Sequence, residues 1–479
     1  MKVQLPKSVV DIIYKFQEKN YQIYVVGGAV RDLLMGKIVY DWDFTTSAIP
    51  EESLQLFESA YYTNEFGTVG IPNETEGERP YEITTFRTEH GYSDSRRPDR
   101  VEWGKTLEED LQRRDFTINA MALNVKITNY KTQITNKPKI KNPKLKTDNQ
   151  TQTSDVEAEL IDLYEGKKDL ENKLIRAVGD PNERFSEDAL RMMRAVRIAA
   201  ELGFMIEENT FEAIKMNTAL INRISKERVR DELLKILGSP HPYEGIIMFK
   251  NSGLMSEILP EFEKTFGVEQ ASPGRHHIYD VGTHSLYSLK SVSVRNTDPI
   301  VRFATLIHDI GKPLTYKKLE TGTITFYNHE LVSAKIAKRI AERLRFSNRE
   351  KDKLYRLVRY HQFTVDEKQT DSAIRRFIRK VGIENVPDML DLRIGDRLGG
   401  GARETSWRLE EFKARLIEVQ KQPFTVKDIK IDGNDVMKVL EIEPGPKVGE
   451  ILQKLYDEVV EKKIPNEKGV LIERLNELK

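Results

Sequence analysis

The 479-residue chain has no cysteine, so disulfides and thiolate-bound metals are excluded and a reducing compartment suits it. No apolar run approaches the roughly 18 residues of a membrane-spanning helix. The opening stretch, MKVQLPKSVVDIIYKF, lacks the apolar centre of a signal peptide. A soluble, cytoplasmic protein with no membrane partner is the expectation. Net charge is missing as well, 76 basic residues facing 76 acidic ones, so a polyanionic partner must be held by a local basic surface. Such a length exceeds one hydrophobic core and predicts about three or four domains.

Residues 1–124 mix helix and strand signals. VVDIIYKF has helical amphipathicity, YQIYVVGG reads as a buried strand entering a glycine turn, and DWDFTT, FGTVGI and YEITTFR read as further strands. Residues 126–156 are a polar insertion, with seven lysines and no acid between Lys126 and Lys146. AELIDLYEGKKDL then supplies a strand that completes the first domain. From about Phe185 onward the pattern is helical. The expected class is α+β: a mixed head over 1–180, then all-α segments over 181–270, 271–405 and 406–479.

Within the second segment, NERFSEDALRMMRAVRIAAEL predicts one helix with Ser186 as its N-cap and Glu187 and Asp188 in the first turn, where the helix dipole favours negative charge. Asp188, Arg191, Arg194 and Arg197 recur every third residue and form a winding stripe. The plain reading is a solvated face with an Asp188–Arg191 ion pair.

VVGGAVRD is a strand, a Gly-Gly turn and a helix start, a geometry that lets backbone approach a phosphate. A dozen residues on, DWDF places Asp41 and Asp43 at i and i+2 of a strand, pointing the same way. Like charges so close call for a cation, and hard oxygen ligands suit magnesium. The combination points to metal-assisted phosphoryl transfer.

GGAVRD, DWDFTTS, RRDFTINAMA and GDPNERFSEDALRMMRAVR, in that order, resemble the class II tRNA nucleotidyltransferases. These are the CCA-adding enzymes and their bacterial poly(A) polymerase relatives, built on a polymerase-β-like head. The resemblance covers the chain apart from the insertion. It implies that Gly28 and Arg31 contact nucleotide phosphates, that Asp41 and Asp43 hold magnesium, and that Arg114 helps hold the incoming nucleotide. Glu82 is a candidate third carboxylate. Asp188 and Arg191 would read the base of CTP or ATP, since an acceptor-only carboxylate and a donor-only guanidinium together match mixed base edges. Arg194 and Arg197 would complete the basic lining. A loop at 88–103 matches one present in CCA-adding and A-adding members and shortened in those adding only C.

Four of the eight histidines fall in a second pattern. VGTHSLYSL, LIHDIGKP, FYNHE, RYHQF and RIGDRLGG supply His284, His308, Asp309, His329, His361 and Asp396. The set resembles the HD phosphohydrolase superfamily, which implies a helical, divalent-metal-binding domain over 271–405 with a hydrolytic activity of its own. Nitrogen and oxygen ligation suits manganese, nickel, cobalt or zinc. The 406–479 tail, with a Gly-Pro turn followed by Lys447, is a candidate tRNA grip, although simple helix packing explains it equally. The leading expectation is addition of CCA, or of the terminal A, to tRNA 3′ ends from CTP and ATP. A poly(A) polymerase is the alternative, followed by a phosphohydrolase whose head no longer catalyses.

Overall fold

The computed structural model describes residues 1–64, 67–73, 79–90, 100–104, 106–127, 153–270, 279–363, 370–420, 426–460 and 463–479. The chain forms two compact units, Met1–Pro260 and Glu261–Lys479.

The first unit is built on an eight-stranded mixed sheet in the order β1-β10-β9-β2-β3-β6-β5-β4. Its strands are β1 (Lys2–Pro6), β2 (Ile23–Val26), β3 (Asp43–Thr46), β4 (Tyr61–Asn64), β5 (Thr68–Ile71), β6 (Tyr81–Thr85), β9 (Met121–Lys126) and β10 (Thr153–Asp162), while β7 (Arg87–His90) and β8 (Arg100–Trp103) pair separately. Helix α1 (Lys7–Glu18) buries Val9, Val10, Ile12, Ile13 and Phe16 against this sheet, the face its periodicity predicts. β3 and β6 run parallel and the other pairs antiparallel, and the register sets Asp43 beside Glu82.

Three expectations need correction here. β10 begins at Thr153, inside the supposed insertion, because Ser154, Val156 and Ala158 point inward between outward acids. Its antiparallel pairing with β9 sets Lys126 opposite Glu157. Residues 128–152 therefore join neighbouring strands and lie outside the described residues. The stretch 88–103 is not plain loop, since its ends form the β7–β8 ladder; 91–99 lie outside the described residues.

The third correction concerns the arginine stripe. Two helices replace the single one expected: α2 (Pro181–Glu187) and α3 (Leu190–Leu202). Asp180, not Ser186, caps the first of them, and Ser186 Oγ donates back to the Glu183 carbonyl. The chain turns extended at Asp188 (φ −138°, ψ 103°), whose Oδ1 accepts from the Leu190 amide. Asp is a strong competitor for exposed helix-start amides, and here it breaks one helix and opens the next.

Among the described residues, the second unit is helical apart from one short strand pair, Lys317–Lys318 with Ile324–Thr325. Its central helices are α4 (Val281–Ser293), α5 (Pro299–Ile307), α6 (His329–Arg343), α7 (Asn348–Tyr360), α8 (Asp371–Val381) and α9 (Val386–Gly399). Towards the C-terminus Ile429, Val436, Leu455, Val459 and Leu471 form a core of their own, a packing role that the Gly-Pro turn helices demonstrably serve. No helix among the described residues is long and apolar enough to cross a membrane.

Candidate functional site

The glycine turn ends β2 at Gly27, whose φ of +72° is left-handed backbone that disfavours any side chain. A Cβ there would lie 3.2 Å from Asp43 Oδ2 and 3.3 Å from Arg114 Nη1. Gly28, singled out from the sequence, meets only the flexible Arg31 side chain at 3.4 Å. Gly27 is thus the position where geometry demands glycine, and it lets a carboxylate and a guanidinium approach the turn together. Arg31 is oriented by Asn119 Oδ1 (3.0 Å) and Asp32 Oδ1 (2.9 Å).

Asp43 opens β3, but Asp41 precedes the strand, so strand alternation is not what aligns the two. Arg79 donates to Asp41 at 2.7 Å on the surface. Burial, and then the Asp41 charge, push the Asp43 carboxyl up to about 6; Glu82 adds to the rise while Arg114 and Arg79 oppose it. Glu82 is itself raised, by desolvation and then by Asp41. Two carboxyls whose charged forms are disfavoured this way, beside a third acid, suit a divalent cation. Two carboxylates completed by substrate phosphates are the customary protein share of a magnesium site.

The RRDF stretch fastens the head to α3. Asp110, fully buried, accepts from Arg113 and from Arg114 (3.0 Å), which fixes Arg114 beside the turn. Asp115 accepts from Arg194 Nε at 2.9 Å and from Nη2 at 2.5 Å. Although burial opposes it, the Arg194 charge holds the Asp115 carboxyl down at about 2. Arg191 donates to Glu187 (2.5 Å) and to the Arg113 carbonyl (3.0 Å). The expected Asp188–Arg191 pair is absent; Asp188 Oδ2 accepts instead from Arg228 at 2.8 Å. Arg197 turns to Glu232 (2.7 Å) and Glu201 (3.0 Å). The stripe therefore divides. Arg191 and Arg194 face the RRDF stretch, whereas Asp188 and Arg197 both reach the Lys226–Gly238 helix, through Arg228 and Glu232.

Arg228 and Asp115 escaped the sequence reading. Asp115 is the aspartate of RRDF itself, so that signal was available. ISKERVR gives no local reason to single out Arg228.

In the second unit all six residues of the His/Asp pattern converge. His284 projects from α4, His308 and Asp309 follow α5, His329 opens α6, His361 follows α7, and Asp396 projects from α9. Asp309 Oδ2 lies 3.6 Å from His284 Nε2 and 3.2 Å from His308 Nε2, whereas its Oδ1 lies 3.1 Å from His329 Nε2 and 3.6 Å from His361 Nε2. One carboxylate thus faces two ligand groups, His284–His308–Asp309 and Asp309–His329–His361, all of them buried. Asp396 Oδ1 completes the first group, at 3.1 Å from His284 and 3.5 Å from His308.

The tautomers are set by backbone. His308, His329 and His361 each donate Nδ1–H to the carbonyl three residues back, Thr305, Phe326 and Val358, at 2.7–2.8 Å. Their Nε2 atoms then point inward, and those of His329 and His361 meet at 3.3 Å. Two facing lone pairs repel unless a cation or proton lies between them. His308 Nε2 is buried with no hydrogen-bond partner of good geometry. Burial alone would lower His308, but Asp309 and Asp396 push it up to about 10 in the metal-free protein. The donor set fits divalent transition metal in both groups, with Asp309 shared between them. Lys312 holds Asp309 Oδ2 at 2.6 Å and is itself steadied by Gln270 (2.7 Å).

Comparison with known proteins covers nearly the whole chain. Residues 23–136 match the poly A polymerase head domain, 203–266 match a probable RNA and SrmB-binding site of polymerase A, and 320–475 match a tRNA nucleotidyltransferase domain 2 described as putative. A CCA-adding enzyme of Ligilactobacillus salivarius is 32% identical over 473 residues, which span 98% of this chain and 96% of that protein. The crystal structure of the Bacillus stearothermophilus CCA-adding enzyme in complex with CTP superposes with a TM-score of 0.66 at 26% identity, covering 98% of this chain and 96% of that one. The Thermotoga maritima CCA-adding enzyme complexed with tRNA shares the fold, with a TM-score of 0.53 at 20% identity and full coverage of both chains. With a curated relative matched from end to end and both halves of the motif order in place, the chain belongs to the class II CCA-adding enzyme family of nucleotidyltransferases.

Proposed function

We propose that this protein adds CCA to tRNA 3′ ends from CTP and ATP, with Asp41 and Asp43 holding magnesium and Asp188 and Arg191 reading the base. The observation that carries this reading is the meeting of Asp43 and Arg114 over the side-chain-free Gly27. The tRNA 3′-hydroxyl oxygen bonds to the α-phosphorus, its proton departs to solvent, and the bond to the bridging oxygen breaks to release pyrophosphate. Magnesium in this site would activate the hydroxyl and stabilise the leaving charge. Arg114 and Arg31 orient the triphosphate, and the buried Asp110 keeps Arg114 in place. Arg191, already anchored to the Arg113 carbonyl, presents donors next to the Asp188 acceptor. Arg194 acts one step back by fixing the RRDF stretch.

A second activity rests on a separate observation, the two inward-facing ligand groups that share Asp309. We read this centre as an HD phosphohydrolase for phosphomonoesters or 2′,3′-cyclic phosphates. Metal bound there would polarise a phosphoryl oxygen and acidify water. Clearing such an end restores the hydroxyl that the head extends.

The test uses tRNAs lacking the last three, two or one nucleotides, each incubated with one labelled nucleotide. CTP incorporation on the shortest tRNA followed by a single AMP is expected. AMP addition only to tRNA ending in CC would narrow the function to A addition, and repeated AMP addition to unrelated RNA would replace it with poly(A) synthesis.

A further inference from the structure

Beside the His/Asp centre lies a cavity of about 600 Å³, lined by α7, α8 and α9 and by Gln362 and Phe363. Its volume is that of a site for a small organic ligand. Four cations line it, Arg359, Arg376, Lys380 and Arg393, against one carboxylate, Glu330. Arg359 reaches Glu330 at 3.6 Å, which leaves the excess positive charge to the other three. Arg376 and Lys380 are exposed on α8 and meet no carboxylate among the described residues. Aromatic rings alternate with these charges. Arg359 sits over Tyr360 at 5.1 Å, Lys380 over the same ring at 6.0 Å, and Arg393 over Phe363 at 5.6 Å.

The cavity lies against the metal centre, with which it shares wall elements. Glu330 follows His329 and Tyr360 precedes His361, so two ligand-bearing helix ends also build the cavity wall. Arg393 bridges the two directly, since the guanidinium that lines the cavity also donates to Asp396 Oδ2 at 3.1 Å. A small phosphomonoester needs only the metal centre. Cations interleaved with aromatic faces instead match a phosphate joined to a ring that stacks, the chemistry of a nucleotide.

We propose that this cavity is the substrate subsite of the His/Asp centre, holding the nucleoside and flanking phosphate of an RNA 3′ end while its terminal phosphoester lies at the centre. The proposal rests on reading the centre as a phosphohydrolase. Arg376 and Lys380 receive the flanking phosphate, Tyr360 and Phe363 offer faces for the base, and Arg393 aligns the end with Asp396.

Calorimetric titration of the full chain without added metal tests it, using uridine 5′-monophosphate, whose phosphate stands for the flanking one, with uridine and inorganic phosphate as the fragment probes. The exposed pair is replaced in R376Q/K380Q, which removes charge without touching the core. The nucleotide is expected to bind at least about tenfold tighter than either fragment, and the variant to lose about tenfold, the worth of one or two charge-assisted contacts. Metal content of the centre and nucleotide addition by the head should stay unchanged in that variant. Equal affinity for nucleotide and inorganic phosphate would overturn the proposal in favour of a bare anion site. Unchanged nucleotide affinity in R376Q/K380Q would overturn it outright. Wild-type protein that binds metal but cleaves no cyclic or terminal phosphate fails the hydrolase reading, a result separate from the binding titration.

Discussion

Asp41 and Asp43 stand at the rim of a sheet, one of them half exposed and engaged by Arg79, whereas His284, His308, Asp309, His329 and His361 are all buried among helices. The head offers two carboxylates with Glu82 alongside; among the described residues, only the His/Asp centre assembles three or more ligand atoms within 4.8 Å. A site of two carboxylates is finished by its substrate, as suits a magnesium ion that arrives with a triphosphate. The enclosed set, with imidazoles locked by backbone carbonyls, is finished before substrate arrives and suits a resident transition metal. The difference is one of preorganisation. With magnesium at Asp41 and Asp43 as proposed, substrate would contribute to the head's metal site, so nucleotide affinity and metal affinity should rise together; in the centre they should be independent.

The largest expected effect breaks the comparison cleanly. Asp43→Ala should lower nucleotide incorporation by more than about a hundredfold, since it removes charge that stabilises the transition state, and should leave metal bound in the second unit. Asp309→Ala should empty both ligand groups, read as transition-metal content of the purified protein, and leave incorporation on intact tRNA unchanged. Loss of both activities from either variant would refute two independent centres.

A smaller effect sharpens the same comparison at the proposed base-reading residues. Asp188→Ala should relax the preference for CTP and ATP over UTP by about 1–3 kcal/mol, or roughly five- to 150-fold in relative incorporation. The same change removes the Leu190 amide's acceptor and costs about 1 kcal/mol of stability. Arg228→Ala tests the contact that sequence reading missed. It should shift nucleotide preference in the same direction by freeing the Asp188 carboxylate. Arg197→Met should leave preference alone and lower only the melting temperature, because Arg197 serves Glu201 and Glu232. A preference change in Arg197→Met as large as that in Asp188→Ala would restore the undivided stripe.

How much of this was legible depended on whether the signal was local. The helix α1, the glycine turn and the strand at Asp43 were readable because period and turn chemistry act over a few residues, whereas Glu82 was a candidate only through the family resemblance, its place beside Asp43 being set by strand pairing. The six His/Asp ligands were readable as residue types, but their convergence is tertiary, and so is the splitting of Asp309 between two groups. Asp188 shows where local reading failed. Alternating helix formers predicted continuity across it, yet an aspartate competing for free amides, and tied across to Arg228, divides the helix. The same break replaces the anticipated Asp188–Arg191 pair with Arg191–Glu187. The strand β10 was dated too late because its outward face is as polar as the insertion before it.

The smallest effect concerns the clamp that joins head and α3. Asp115 is 8% exposed and accepts from Arg194, the Phe116 amide and Asn119. Burial raises its carboxyl, but Arg194 outweighs this and brings it to about 2 from an ordinary value of 3.8. A carboxyl depressed on folding stabilises the native state above its unfolded value and loses that contribution as pH falls through the folded one. The clamp is therefore fully present at neutral pH and is lost between about pH 4 and pH 2. The shift corresponds to about 2 kcal/mol, which exposure of about a third of the Arg194 side chain reduces towards 1 kcal/mol. Asp115→Asn keeps the hydrogen-bonding shape and removes the charge. It should lower denaturant-unfolding stability of the first unit by about 1 kcal/mol at pH 7, and wild type and variant should converge towards pH 2. The same loss at both pH values would mean that Asp115 acts through its hydrogen bonds alone and not through the charge of Arg194.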